Sequence, residues 1–105
     1  MKRILIASAL IAAVSGIALA AQPAHSALKG GELATMANVK LADARATALA
    51  ARPGKVTDQE LEKEAGGSGL RYSFDIKNAG KTYEVGVDAK TGTILENKAE
   101  GKNPD

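Results

Sequence analysis

The sequence contains no cysteine and no tryptophan, one histidine, one phenylalanine and two tyrosines. Without cysteine the chain can form no disulfide, perform no thiol chemistry and build no thiolate metal site. The single histidine, His25, lies in or next to a targeting segment, so catalytic triads, zinc sites and haem ligation by His or Cys are not expected. These absences predict a protein that is not an enzyme and has no catalytic, cofactor or metal site.

The first residues read as a secretory signal peptide. Residues 1–3 (MKR) form a short basic start, residues 4–14 an apolar run, and residues 18–20 (ALA) a cleavage pattern of the A-x-A kind. We expect residues 1–20 to be removed, with a cut after Ser26 as the alternative. An uncleaved membrane anchor is the competing interpretation, because the uncharged stretch is long enough to span a bilayer. Export predicts a periplasmic or secreted protein that meets the membrane only on the way out.

Removing this segment changes the charge of the chain. Lys2 and Arg3 are two of the fourteen basic residues, so twelve remain against twelve acidic ones. A neutral chain with scattered basic residues has no field that would attract nucleic acid or anionic lipid. We therefore expect no nucleic-acid partner.

The pattern next predicts a leader followed by one helix. Residues 21–39 carry proline, glycine and small polar residues and read as a flexible leader, with a helical turn at 32–36 as an option. Residues 41–51 are rich in alanine, the best helix former. Apolar residues recur there at helical spacing, namely Leu41, Ala44, Ala48 and Ala51. Pro53 and Gly54 are expected to end this helix.

Residues 55–64 are ambiguous between helix and strand. Thr57 and Glu60 have the spacing of a helix capping box, whereas the residues after Glu60 alternate as in a strand. Four acidic residues fall at alternate positions: Asp58, Glu60, Glu62 and Glu64. They predict either a weak site for a cation or a basic peptide, or an edge strand kept in solution by its charge.

The clearest strand signal begins at Leu70, after the glycine-rich loop 65–69. Apolar and polar residues then alternate to Lys77, and Ala79 and Gly80 are expected to form a two-residue turn into a second strand. This turn predicts the cross-strand pairs Ile76–Tyr83, Phe74–Val85, Tyr72–Val87, Arg71–Asp88 and Asp75–Glu84. Three of these pairs are apolar, which favours this register over a slip by one residue.

A second hairpin is expected after Val87. The side chain of Asp88 can accept hydrogen bonds from the turn, and Gly92 can adopt a positive φ. A short turn would bring Leu95 opposite Val87 and into the core, whereas a longer loop would bring Ile94 there instead. Residues 98–105 are polar and are expected to form a frayed tail.

Two segments together resemble the PepSY domain: 44–56 (ARATALAARPGKV) and 83–95 (YEVGVDAKTGTIL). The resemblance covers residues 40–97 and departs from the family at Lys40, where a capping serine or threonine is common, and at Thr47, where a branched aliphatic residue is common. It implies exported or membrane-attached bacterial proteins and a role in restraining peptidases, as in metallopeptidase propeptides. The motif residues are structural, so no catalytic residue carries over: Pro53, Gly54, Tyr83, Val85, Val87, Asp88 and Gly92.

Fold and function are predicted from these elements. We expect an α+β fold in which one main helix packs on a three- to four-stranded antiparallel sheet. The predicted function is a non-enzymatic interaction module that binds or restrains a peptidase or a membrane partner, through a sheet edge or through the outer sheet face at Gly86. Two alternatives are a small-ligand or metal-responsive protein that uses residues 58–64, and a homodimer formed through an edge strand.

Overall fold

The computed structural model describes residues 27–101, so the predicted signal peptide and its cleavage sites lie outside the described residues. The elements in chain order are strand β1 (Leu28–Lys29), a 3-10 helix (Gly31–Met36), helix α1 (Leu41–Ala51), and strands β2 (Lys55–Lys63), β3 (Leu70–Asn78), β4 (Lys81–Asp88) and β5 (Ile94–Ala99). The α+β class is confirmed, with one α-helix packed on one sheet.

The sheet has five strands in the order β1-β2-β3-β4-β5, and β1 runs parallel to β2 while the other pairs are antiparallel. The prediction of three to four antiparallel strands was therefore wrong in strand number and in direction at one edge. The additional strand is only two residues long, which is too short for an alternating pattern to be recognised in the sequence. It is held by backbone pairing of Leu28 with Gln59 and of Lys29 with Glu60.

Residues predicted as a leader contribute to the domain. Gly30 turns the chain at φ +77°, with its α-carbon against the main chain of Leu61, and the 3-10 helix follows. Leu28 and Leu33 pack against the buried core. Only glycine fits this turn, because a side chain at Gly30 would collide with the carbonyl oxygen of Leu61.

Residues 55–63 form a strand, which resolves the ambiguity between helix and strand. The pairing of β2 with β3 shifts between Val56 and Asp58, so Thr57 is the extra residue of a bulge. After the bulge the side chains alternate, with Gln59 and Leu61 buried and Asp58, Glu60 and Glu62 on the opposite face.

The β3–β4 hairpin has the predicted register. All five predicted pairs are present, including Phe74 with Val85 and Asp75 with Glu84. Phe74, Ile76, Val85 and Val87 are fully buried on the face that α1 covers. Burial of an apolar side chain of this size contributes roughly 1.5–3 kcal/mol, so these strands supply much of the core.

Helix α1 packs on this face through alanine. Ala44 and Ala48 are fully buried, whereas Ala51, at the end of the predicted stripe, is exposed. Side chains of one methyl group let the helix backbone lie close to the sheet. Lys40 precedes the helix and makes no capping hydrogen bond with its side chain, and Arg52 leaves the helix with an extended backbone just before Pro53.

The β4–β5 connection follows the longer of the two predicted turns. Val87 pairs with Ile94, and a bulge between Gly86 and Val87 shifts the remaining register. Ile94 consequently packs against the core, while Leu95 lies on the other side, near Gly67. Gly92 has φ +82° and donates its N–H to the carbonyl of Asp88 at 2.8 Å, as the turn requires.

Candidate functional site

The sheet has one covered and one uncovered face. Helix α1 and the 3-10 helix lie over the inner face, whereas none of the helices in residues 27–101 packs on the outer face. The outer face carries carboxylates from four strands and from the residue after β5. We refer to them as the carboxylate face: Asp58, Glu60, Glu62, Asp75, Glu84, Glu96 and Glu100.

Three of these carboxylates form a row across the middle of the sheet. Asp58 pairs with Asp75, and Asp75 pairs with Glu84. Like charges directly opposite each other in a sheet are destabilising. A lysine stands at each end of the row, because Lys29 donates to Asp58 at 3.1 Å and Lys98 pairs with Glu84 in the register. Within residues 27–101, Lys29 forms its salt bridge with Asp58 and Lys98 forms its salt bridge with Glu96 at 3.4 Å, so Asp75 and Glu84 are neighbouring acids in the middle of the row.

Partial burial, together with the crowding of acids, raises the pKa of both central residues. Partial burial raises the pKa of the Asp75 carboxyl to about 6, and the nearby charges of Glu100 and Asp58 act in the same direction. Partial burial also raises the pKa of Glu84, together with the charges of Glu96 and Asp75. Both carboxyl groups therefore remain protonated to a higher pH than an isolated carboxyl group does.

Asp75→Asn should make the protein more stable at pH 7 and remove a fall in stability between pH 4 and pH 6. The folded pKa lies above the ordinary value of 3.8, so the native state binds the extra proton in this window and stability decreases as pH rises through it. After solvent screening we expect a gain of about 1 kcal/mol at pH 7. Urea unfolding at pH 4.5 and pH 7 measures it.

The exposed Asp43→Asn, on α1, serves as the control for loss of one negative charge. It should leave the urea midpoint unchanged or slightly lower, because Asp43 lies in the first turn of α1, where a negative charge is favourable. If Asp75→Asn behaved in the same way as this control, the row would not be under electrostatic strain.

Hydrogen bonds organise the rest of the carboxylate face. Glu62 accepts from the hydroxyl of Ser73 at 2.7 Å. Arg71, which is only 7% exposed, donates to Glu96 at 3.1 Å and to the carbonyl of Ala65 at 3.1 Å. The sequence suggested binding at the outer sheet face beside Gly86, where the glycine has no side chain, but the Arg71 side chain occupies that position, 3.2 Å from where a β-carbon of Gly86 would lie.

Asp88 closes one end of the outer face. Its carboxylate is 1% exposed and accepts from Ser68 N and Oγ, both at 2.7 Å, from Lys90 N at 2.8 Å and from Thr91 N at 3.1 Å. Burial alone would raise its pKa, but these hydrogen bonds outweigh the burial and lower the pKa of Asp88 to about 2. The residue thereby joins the loop after β2 to the turn after β4.

The other motif residues lie at turns or in the core. The carbonyl of Pro53 accepts from the side-chain amide of Asn78 at 2.6 Å, and Gly54 has φ +153° next to the Lys77 carbonyl. Val85 and Val87 are buried, and Gly92 lies in the β4–β5 turn. Tyr83 is half-buried beneath the Arg52 guanidinium, which lies 3.9 Å from the ring centre.

The acidic residues of β2 do not converge on one point. Within residues 27–101, no group of three or more His, Cys, Asp or Glu residues is arranged to hold a metal ion. Lys29 and Ser73 already engage Asp58 and Glu62. Sequence reasoning identified this acidic segment and the Asp75–Glu84 pair, but it missed that both belong to one face together with Glu96 and Glu100.

The fold and this face define a small α+β module that presents acids on a bare sheet surface. The family model of PepSY, described as peptidase propeptide and YPEB domain, matches residues 39–98, and the chain belongs to the PepSY family. PepSY domains are generally non-catalytic modules of the propeptide or inhibitor type and are typically extracellular or periplasmic. No curated protein and no solved structure matches the chain significantly. In the described part of the chain, no helix is long and apolar enough to cross a membrane.

Proposed function

We propose that this protein is a non-enzymatic, exported binding module whose carboxylate face holds the basic surface of another protein, either a peptidase that it restrains or a membrane protein. The observation that carries the proposal is the row Asp58–Asp75–Glu84 in the middle of a sheet face that no described helix covers. Membership of the PepSY family supports a partner of the peptidase class.

The energetics of the row favour a cationic partner. Adjacent carboxylates cost stability in the free protein, and lysine or arginine side chains of a partner would remove that cost on binding. Complementary charge also accelerates encounter, and it does so most strongly at low ionic strength. Because the pKa of Asp75 is about 6, binding should weaken as pH falls below that value.

Site-specific photo-crosslinking in intact cells tests the proposal. A photoreactive amino acid at Ser73, in the centre of the carboxylate face, should capture a distinct partner protein. The same amino acid at the exposed Ala46, on α1, is the matched position on the opposite side of the domain. Equal capture from both positions, or none from Ser73, would show that this face is not the binding surface.

Charge-neutralising variants test the role of the acids themselves. In the Ser73 background, Asp75→Asn with Glu84→Gln should lower crosslinking several-fold, because it removes the two central charges. Glu32→Gln with Asp43→Asn removes two charges from exposed positions elsewhere and should leave it unchanged. If the captured protein is a peptidase, its activity should fall when purified module is added, and the neutralised variant should inhibit it less.

A further inference from the structure

Strand β5 is the last strand of the sheet, and only β4 pairs with it within residues 27–101. The Glu100 N–H donates to the Thr82 carbonyl at 2.9 Å, which fixes which residues of this strand face β4. Since hydrogen-bonding direction alternates along an antiparallel strand, Lys98 also faces β4, whereas the main-chain groups of Asn97 and Ala99 face away from the sheet. The edge is therefore able to pair with another strand.

The features that usually protect an edge are only partly present in β5. The strand contains no proline, and Asn97, Lys98 and Ala99 are exposed. A single lysine discourages an added strand, but here Lys98 forms a salt bridge at 3.4 Å with Glu96 on the same face, so this edge carries both signs of charge, and a second copy would exchange this pair for two pairs between copies. The opposite edge of the sheet differs, because β1 covers part of β2 there.

We propose that two copies of this chain pair antiparallel through β5, with the two-fold axis at Asn97. In this register Glu96 of each copy lies opposite Lys98 of the other, so two opposite-charge pairs form on the outer face. The main-chain groups of the two Asn97 residues exchange hydrogen bonds at the axis. The result is one continuous sheet in which the two carboxylate faces lie side by side.

Charge and the extent of strand overlap together favour this register over its neighbours. An axis at residue 96 would place the Glu96 residues of the two copies opposite each other. An axis at residue 98 would place Lys98 against its own copy and Glu96 against Glu100. An axis at Ala99 would also bring opposite charges together, Lys98 against Glu100, but it would pair β5 almost entirely with the residues that follow it. Of these four, the axis at Asn97 is the one that both matches opposite charges and pairs β5 with β5 over residues 95–99.

Sedimentation equilibrium and charge reversal test the pairing. The full chain, expressed with its own N-terminal segment, should form dimers, and Lys98→Glu should weaken dimerisation by at least about tenfold. Lys63→Glu reverses an exposed lysine outside β5 and should leave dimerisation unchanged. Glu96→Lys alone should weaken dimerisation in the same way, but an equimolar mixture with Lys98→Glu should form heterodimers, since both charged cross-strand pairs are then complementary.

A second test uses an introduced cysteine. It does not require Glu96→Lys, a substitution that also removes the ion pair of Glu96 with Arg71 within the same chain. The chain has no cysteine, so a single introduced thiol reports on its own position. Hydrogen-bonded residues opposite each other lie about 5.5 Å apart between α-carbons, within the range that a disulfide spans. Asn97→Cys should therefore form a disulfide-linked dimer under mild oxidation, and Thr35→Cys, exposed on the 3-10 helix, should not.

Several results would overturn the proposal. One is a wild-type chain that stays monomeric at the highest concentration that remains in solution. A second is a dimer that Lys98→Glu leaves intact, since its interface would lie elsewhere. A third is equal disulfide formation from residues 97 and 35. The proposed binding function is tested at Ser73, Asp75 and Glu84, none of which lies in β5, so failure of either idea leaves the other standing.

Discussion

Asp88→Ala is expected to cost about 3–5 kcal/mol of stability, because it removes several hydrogen bonds to a charged acceptor, each contributing about 1.5–3 kcal/mol, and leaves neutral donors unpaired in a buried site. The substitution removes the acceptor for the backbone N–H groups of Ser68, Lys90 and Thr91, in a position that is 1% exposed. A small domain has only about 5–15 kcal/mol of stability in total, so much of the fold would be lost. Urea unfolding followed by circular dichroism measures the change.

The pH dependence of stability tests the role of Asp88 in a second way. The folded pKa of about 2 lies below the ordinary 3.8, so the stabilisation by the Asp88 carboxylate is complete above pH 4 and is lost as pH falls through about 2. This contribution amounts to about 2 kcal/mol. Asp88→Ala should lack this acid-dependent part of its unfolding curve. The exposed Asp43→Ala should change stability by less than about 1 kcal/mol, and a similar loss in both variants would contradict the role of Asp88.

Gly54→Ala is expected to lower stability by about 2–4 kcal/mol, since it combines backbone strain with a collision inside a packed region. Gly54 has φ +153°, and a β-carbon there would lie 2.7 Å from Cγ2 of Ile76 and closer still to the Lys77 carbonyl oxygen. The neighbours cannot easily move, because Ile76 is fully buried and Lys77 lies in β3. Chemical unfolding of purified variants measures the loss.

Substitutions at two further glycines distinguish the cost of backbone strain from the cost of the steric collision. Gly92 has φ +82°, but a β-carbon there would make only an ordinary contact, 3.8 Å from Val39, so Gly92→Ala reports strain alone and should cost about 1 kcal/mol. At Gly31 a β-carbon would meet nothing within 4 Å, and Gly31→Ala should be nearly neutral. If Gly54→Ala cost no more than Gly92→Ala, the close approach to β3 would not contribute.

The parts of the fold that the sequence predicts are those with a strong local period. Alternation from Leu70 to Lys77, with a two-residue turn at Ala79 and Gly80, determines the β3–β4 register because a slip by one residue would place charges in the core. The alanine-rich helix and its end before Pro53 follow from propensity and from the geometry of proline. The PepSY resemblance rests on the second half of this helix with the residues after it, 44–56, and on 83–95, which covers β4 and the turn into β5.

The parts that were not predicted depend on contacts between distant segments. Strand β1 has only two residues and exists because β2 offers it backbone partners. The choice between Ile94 and Leu95 depended on a bulge beside Gly86, and bulges have no strong sequence signal. Recognising the carboxylate face requires the registers of three strand pairs together. Only its Asp75–Glu84 pair and the acidic residues of β2 could therefore be predicted from the sequence.

The parallel strand β1 also fixes where the chain enters and leaves the sheet. Whatever precedes Leu28 joins the domain at the β1 edge, and four strand spacings, about 19 Å, separate that edge from β5. The chain leaves at Gly101, immediately after β5. An affinity tag or fluorescent protein fused at the carboxyl end would therefore crowd the exposed edge, whereas tethering through the amino-terminal side keeps both that edge and the acidic surface accessible to solvent.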